Sequence, residues 1–62
     1  MLDASVLKTV LAAQKSEITE HLIYRKLSLA IRDSENRKIL ERIAADEMGH
    51  YTFWKKQSEQ DV

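Results

Sequence analysis

Hydrophobic and polar positions follow the three-and-four spacing of amphipathic helices in two long stretches of this chain. In the first stretch these steps select a seam made of Val6, Val10, Ala13, Glu17, Glu20, Tyr24, Leu27 and Ile31. In the second stretch they select Leu40, Ile43, Glu47, His50 and Trp54. The pattern predicts one helix over residues 3–32 and a second over residues 35–58, with polar residues in the middle of each seam.

The only turn signal lies between the two predicted helices, in the segment IRDSENRK. Asp33 or Ser34 is suited to cap the second helix, and Glu35 brings negative charge to its positive end. The chain has no proline and a single glycine, so nothing in it predicts a β-hairpin or a long linker. A short connection forces the helices to run antiparallel. We predict an all-α fold, with residues 1–62 forming one helical hairpin.

The first helix is apolar over a wide arc, because a second apolar stripe accompanies the seam. This stripe consists of Leu11, Ile18, Leu22 and Leu29. One hairpin cannot cover a helix that is apolar on several sides. A chain of 62 residues without cysteine also lacks the core and the disulfides that would stabilise a monomer. We therefore predict that the hairpin dimerises, or forms a larger homo-oligomer, and that a dimer is a four-helix bundle.

Charge and hydropathy exclude several classes of partner. Ten basic and ten acidic residues balance, which gives no broad positive surface for nucleic acid or for an anionic membrane. No apolar run approaches the roughly 18 residues of a membrane span, and the N-terminus does not resemble a signal peptide. We expect a cytoplasmic protein, or the cytoplasmic part of a membrane protein if the chain is a fragment.

The polar residues of the two seams combine into a candidate metal site. Glu47 and His50 lie three residues apart on one face of their helix, and Glu17 and Glu20 repeat the spacing on the facing helix. Unpaired charges in a core cost several kcal/mol each, so these groups need compensation. In a symmetric dimer Glu17, Glu47 and His50 occur twice and supply four carboxylates and two imidazoles, the ligand set of a di-iron or di-manganese centre. The alternative is a polar layer that only fixes the register of the helices.

These residues resemble those of the rubrerythrin and ferritin-like di-iron carboxylate family. Tyr24 follows Glu17 by seven positions, and the Glu47-x-x-His50 pair stands thirty positions after Glu17 in an ADE..H setting. The segments QKSEITEHLIYRKLS and RKILERIAADEMGHYTFWKK are similar to rubrerythrin-like domains that precede membrane transporters of the vacuolar-iron-transporter type.

The resemblance implies roles for individual residues. Glu17 would be a terminal metal ligand, Glu47 a bridging carboxylate and His50 an imidazole ligand. Glu20 matches an extra carboxylate of rubrerythrins that joins the metal as its oxidation state changes, and Tyr24 would hydrogen-bond to the ligands. Family members usually carry all four helices in one chain and often a cysteine-ligated rubredoxin domain. This chain has two helices, so the second half of the bundle comes from another copy or has been cut away. Without cysteine it needs an external reductant.

The predicted function is oxidation of Fe(II) by O2 or H2O2, as a ferroxidase or a peroxide reductase, at a centre with two iron ions per dimer or with manganese. One alternative is a non-catalytic module that senses iron or manganese or delivers it to a transporter. The other is a structural dimer without metal.

Two residues beside the site allow more than one interpretation of their role. His21 lies about 40° round the helix from Glu17 and is more readily explained as a partly buried histidine than as a ligand. Gly49 indicates either close approach of a neighbour or a local bulge.

Overall fold

The computed structural model describes residues 2–62 and consists of two helices, α1 (Ala4–Ala30) and α2 (Ser34–Ser58), packed side by side. The hairpin measures 46 × 13 × 13 Å. The predicted all-α hairpin is confirmed, and each predicted helix boundary lies within two residues of the observed one. Within the described residues, neither helix combines the length and the apolar character that crossing a membrane requires.

Each helix begins at an aspartate that caps its N-terminus. Asp3 accepts hydrogen bonds from the amides of Ser5 and Val6, at 3.0 and 2.9 Å. Asp33 accepts from the amides of Glu35 and Asn36, at 2.9 and 3.1 Å. Each carboxylate thus satisfies two amides that have no partner inside their helix. Of the two predicted caps for α2, Asp33 is the one used.

Hydrogen bonds stabilise both ends of the hairpin, the turn between the helices and the end at which α2 stops. Near the connection, two nitrogens of the Arg37 guanidinium donate to the carbonyl of Ile31, at 3.1 and 2.8 Å. At the other end α2 stops at Glu59, which has the left-handed backbone conformation with φ 58°. The chain then folds back, and Asp61 contacts the Lys55 ammonium at 2.7 Å and accepts from the Tyr51 hydroxyl at 3.3 Å.

The face that α1 turns toward α2 is more polar than its hydropathy pattern predicts. Its buried residues are Val10, Gln14 and Ser28, whereas Val6, Glu20 and Leu27 of the predicted seam are exposed. Val10, Gln14, Ser28 and the half-buried Glu17 and Tyr24 belong to a seven-residue repeat, the period of a two-helix seam. Polar side chains occupy this seam because they find partners there, and within the described residues no buried side-chain nitrogen or oxygen lacks a hydrogen bond.

The hairpin alone buries few apolar side chains. Val10 and Ala44 are its buried apolar residues among those described. Larger apolar side chains lie exposed on the outer surfaces; these are Val6, Leu22, Ile23, Leu27, Leu29, Ile39, Phe53 and Val62. The helix is regular through Gly49, and a β-carbon added there would meet no atom within 4 Å, so the hairpin shows neither the bulge nor the close approach expected from this glycine.

Candidate metal centre

Two carboxylates and one imidazole converge at the middle of the hairpin. Glu17 projects from α1, and Glu47 and His50 project from α2. One ligand atom of each residue lies within 4.8 Å of the other two. These three residues are called here the Glu–Glu–His cluster, and all three were predicted as ligands from the sequence.

The distances within the cluster extend beyond those between the ligands of one small cation. His50 Nδ1 donates to Glu17 Oε2 at 3.2 Å and lies 3.9 Å from Glu47 Oε1. Carboxylate oxygens and imidazole nitrogens lie about 2.0–2.2 Å from a bound zinc ion, and ligands of one ion are then roughly 3–3.5 Å apart at tetrahedral or octahedral angles. The mixed oxygen and nitrogen donors suit iron, manganese or zinc. Only a small side-chain adjustment separates the observed cluster from that spacing.

The cluster is sheltered on one side and open on the other. The side chains of Glu17 and Glu47 are 21% and 15% exposed, whereas that of His50 is 58% exposed. The i,i+3 spacing of Glu47 and His50 produces this difference, because it directs Glu47 toward α1 and leaves His50 at the edge of the helix pair. The open side faces away from the hairpin, so further ligands can approach only from there.

Glu20 lies beside the cluster and is not one of its three donors. Glu20 is exposed, and its carboxyl lies beside that of Glu47. A hydrogen bond with Glu47 and the negative charge of Glu47 raise the pKa of Glu20, a smaller effect of desolvation adds to this, and the charge of His50 opposes it. The structure thus places the fourth predicted ligand next to Glu47, on the open side of the cluster.

The two other residues predicted near the site have different surroundings. Tyr24 is half-buried, and within the described residues its hydroxyl makes no hydrogen bond to Glu17 or Glu47. His21 is also half-buried, and its Nδ1 donates to the backbone carbonyl of Ala44 on α2 at 2.5 Å. This hydrogen bond requires the proton on Nδ1, so His21 is engaged with the backbone of the facing helix.

Gln14 lies near the site but is absent from the seam that the hydropathy pattern predicts. It has no exposed surface, and its amide bonds to the C-terminal end of α2. The seven-residue spacing that relates Gln14 to His21 and Ser28 is the signal that predicts its position, because residues at this spacing follow one seam. A polar residue in such a row is easily overlooked when only apolar positions are followed.

No protein-family model, curated protein or solved structure matches this chain, so the geometry of the cluster alone supports a function.

Proposed function

We propose that this chain binds iron or manganese through Glu17, Glu47 and His50, and that two copies form a four-helix bundle around a dinuclear centre. The observation that carries the proposal is the convergence of two carboxylates and an imidazole from both helices, within 4.8 Å of one another. Two separate sequence segments supply these donors, and the fold brings them to one place. A bound cation would also offset the repulsion between the Glu20 and Glu47 carboxylates, which lie side by side next to the His50–Glu17 contact.

The second copy follows from the incompleteness of one hairpin. Three protein donors leave an ion with open positions, and the exposed His50 marks the side from which more ligands would come. A twofold-related hairpin would double the set to four carboxylates and two imidazoles, the combination found in ferritin-like bundles. It would also cover exposed apolar residues on the same side of α1 as Glu20, such as Ile23 and Leu27. Metal binding and burial of apolar surface would thus favour the same dimer.

The proposed reaction is oxidation of Fe(II) by O2 or H2O2. A bound pair of iron ions supplies two electrons, the number that reduces hydrogen peroxide to water. Glu17 and Glu47 would balance the charge of the metal and hold it between the helices, and the His50 imidazole would hold it from the edge. Glu20 would provide an additional carboxylate beside Glu47. Iron and the oxidant would enter from the open side.

Metal titration tests the proposal directly. Purified metal-free protein is mixed with Fe(II) or Mn(II) under anaerobic conditions, and bound metal, melting temperature and molecular mass are recorded. We expect about one ion per chain, a higher melting temperature and a dimer, since binding to the native state alone stabilises it. Absence of bound transition metal together with an unchanged melting temperature would contradict the proposal and leave the structural dimer as the better interpretation.

A pair of matched variants assigns the site. Glu47→Gln keeps the shape of a proposed ligand but removes its charge, and Glu41→Gln makes the same change at an exposed glutamate of α2 outside the cluster. We expect the first variant to lose metal binding and the second to retain it. Equal binding by both variants would place the metal elsewhere.

Rapid mixing distinguishes turnover from passive binding. Fe(II)-loaded protein is mixed with O2 or with H2O2, and absorbance in the near ultraviolet is followed for formation of Fe(III). Oxidation faster than that of free Fe(II), and lost in Glu47→Gln, is the expected result. Tight binding without faster oxidation would support a sensing or delivery module instead.

A further inference from the structure

Two polar residues connect the helices on either side of the Glu–Glu–His cluster without belonging to it. On α1, Gln14 lies three residues before Glu17 and His21 lies four residues after it, so each is about one helical turn away. Both side chains cross to α2 or to the chain that follows it. These connections are called here the cross-helix hydrogen bonds.

The His21 connection sets the relation of the helices on the side nearer the turn. Nδ1 of His21 donates to the carbonyl oxygen of Ala44, a buried residue three positions before Glu47. The acceptor belongs to the backbone of α2, so it cannot change position by rotating a side chain. The contact therefore fixes how far α2 lies from α1 one turn away from both glutamates.

The Gln14 connection joins α1 to the end of α2 and to the tail, through Ser58 and Gln60. Gln14 Oε1 accepts from the Ser58 hydroxyl at 2.6 Å, and its Nε2 donates to the carbonyl of Gln60 at 2.6 Å. The Ser58 hydroxyl also accepts from the Gln60 amide at 3.1 Å. Because Gln14 is fully buried, its amide is held in one orientation by both partners.

We propose that Gln14 and His21 are positioning residues for the metal site: their cross-helix hydrogen bonds hold the two helices at a separation from which Glu17, Glu47 and His50 can converge on one ion. This inference rests on the proposed metal function. These hydrogen bonds also stabilise the hairpin, because an apolar side chain at position 14 would leave the Ser58 hydroxyl and the Gln60 carbonyl without that partner. Directional bonds to the backbone fix separation and register more narrowly than apolar contacts do.

Apolar and conservative substitutions separate positioning from packing. His21→Leu and Gln14→Met remove the polar atoms but keep much of the volume. His21→Asn keeps a donor nitrogen at the place of Nδ1. Ser28→Ala is the matched control, because Ser28 is buried in the same row but its hydroxyl bonds to the carbonyl of Arg25 in its own helix.

Cobalt(II) is the metal probe, because its visible spectrum reports ligand geometry. We expect His21→Leu and Gln14→Met to weaken Co(II) binding roughly 10–100-fold, the usual effect of losing residues that orient ligands, and to alter the spectrum. His21→Asn and Ser28→Ala should bind Co(II) as the unaltered chain does. Unchanged affinity and spectrum in both apolar variants would overturn the inference.

A second measurement needs no metal. In metal-free protein, the ¹⁵N chemical shift of His50 Nδ1 reports its hydrogen bond to Glu17 Oε2, which spans 3.2 Å. We expect this signal to move toward the value of a free imidazole in His21→Leu and Gln14→Met, and to stay in place in Ser28→Ala.

Failure of the unaltered chain to take up Co(II) would refute the metal function alone, whereas an unmoved His50 signal in both apolar variants would refute the positioning role. If an apolar variant does not fold, a normal His50 signal in a folded His21→Ala or Gln14→Ala chain refutes it equally.

Discussion

Glu17 and Glu20 lie three residues apart on α1, yet they have different surroundings. Glu17 is half-buried and accepts a hydrogen bond from His50, whereas Glu20 is exposed and touches only the edge of the cluster through Glu47. A step of three residues turns a helix by about 60° away from the starting face, which separates an inner position from an outer one. The two glutamates should therefore differ in their importance for metal binding.

We expect Glu17→Gln to abolish metal binding and Glu20→Gln to weaken it by about tenfold or less, because Glu20 neighbours a ligand and is not one of the three converging donors. Isothermal titration with Mn(II) measures both. Equal loss in the two variants would show that Glu20 is a full ligand, which a second copy could bring about by closing the open side.

Asp61 and Lys55 give a pH dependence at the end of α2. The hydrogen bond from Lys55, and then its positive charge, lower the pKa of Asp61 from its ordinary 3.8, and the same contact raises the pKa of Lys55 from 10.5. The stabilisation of the folded tail is complete between those ordinary values. It is lost as the pH falls through the lowered pKa of Asp61, or rises through the raised pKa of Lys55.

Amide hydrogen exchange at Gln60, measured from neutral to acidic pH and corrected for intrinsic rates, tests this expectation. Protection should fall at acidic pH in the unaltered chain and vary much less in Asp61→Asn. Both side chains are largely exposed, so added salt should reduce the effect. A pH profile that is the same in Asp61→Asn would contradict the role of this pair.

At the level of whole helices, sequence patterns predict length and direction better than they predict which face turns inward. The boundaries were predictable because Asp3 and Asp33 are strong caps, no proline falls within either stretch, and the one glycine, Gly49, does not break α2. The inner face was predicted only in part: most residues of the predicted seam are buried or half-buried, but α1 is apolar on so many sides that its hydropathy also selected exposed positions. Gln14 and His21 turn inward for partners that are far away in the sequence, Gln60 and Ala44, and helical spacing does not reveal such partners.

The cap of α2 allows a direct test of how the turn is built. Asp33→Ala should lower the free energy of unfolding by about 1 kcal/mol, since two amides of the first turn lose their acceptor. Asp33→Asn should have a smaller effect, because asparagine caps nearly as well. Ser34→Ala, at the other position predicted as a cap, should be close to neutral. Urea denaturation of the metal-free protein measures all three, and a larger effect at Ser34 would contradict the observed cap.

Gly49 offers a stabilising substitution within α2. Its backbone is helical, and a β-carbon there meets nothing within 4 Å. Gly49→Ala should therefore raise the free energy of unfolding by up to about 1 kcal/mol through the higher helix propensity of alanine. A variant that is instead destabilised, and more so at concentrations that favour dimers, would show that a second copy packs closely against this glycine. Urea denaturation at two protein concentrations distinguishes these outcomes.

For the whole molecule, the open side of the Glu–Glu–His cluster and part of the exposed apolar surface lie on the same side of the hairpin. Glu20, Ile23 and Leu27 follow one another in steps of three and four on the open side of the cluster. A second copy placed there would bury apolar side chains and close the site together. The meeting of Glu17 with Glu47 and His50 was predictable from the antiparallel arrangement of the helices, but the choice of outer face was not, because α1 carries apolar residues on more than one side.

Substitutions at two leucines test which outer face a second copy would cover. Leu27 is 43% exposed and lies on the stripe of Glu20, whereas Leu29 is 77% exposed and lies about 200° further round α1. We expect Leu27→Lys to raise the dimer dissociation constant roughly tenfold or more, since burying a leucine contributes about 1.5–3 kcal/mol and 1.4 kcal/mol corresponds to a factor of ten. The affinity for metal should fall as the dimer is weakened. Leu29→Lys should leave the dimer dissociation constant and the metal affinity unchanged. Sedimentation equilibrium with and without Mn(II) measures these values, and the opposite result would place the partner on the face that bears Leu29, where it could not complete the Glu–Glu–His cluster.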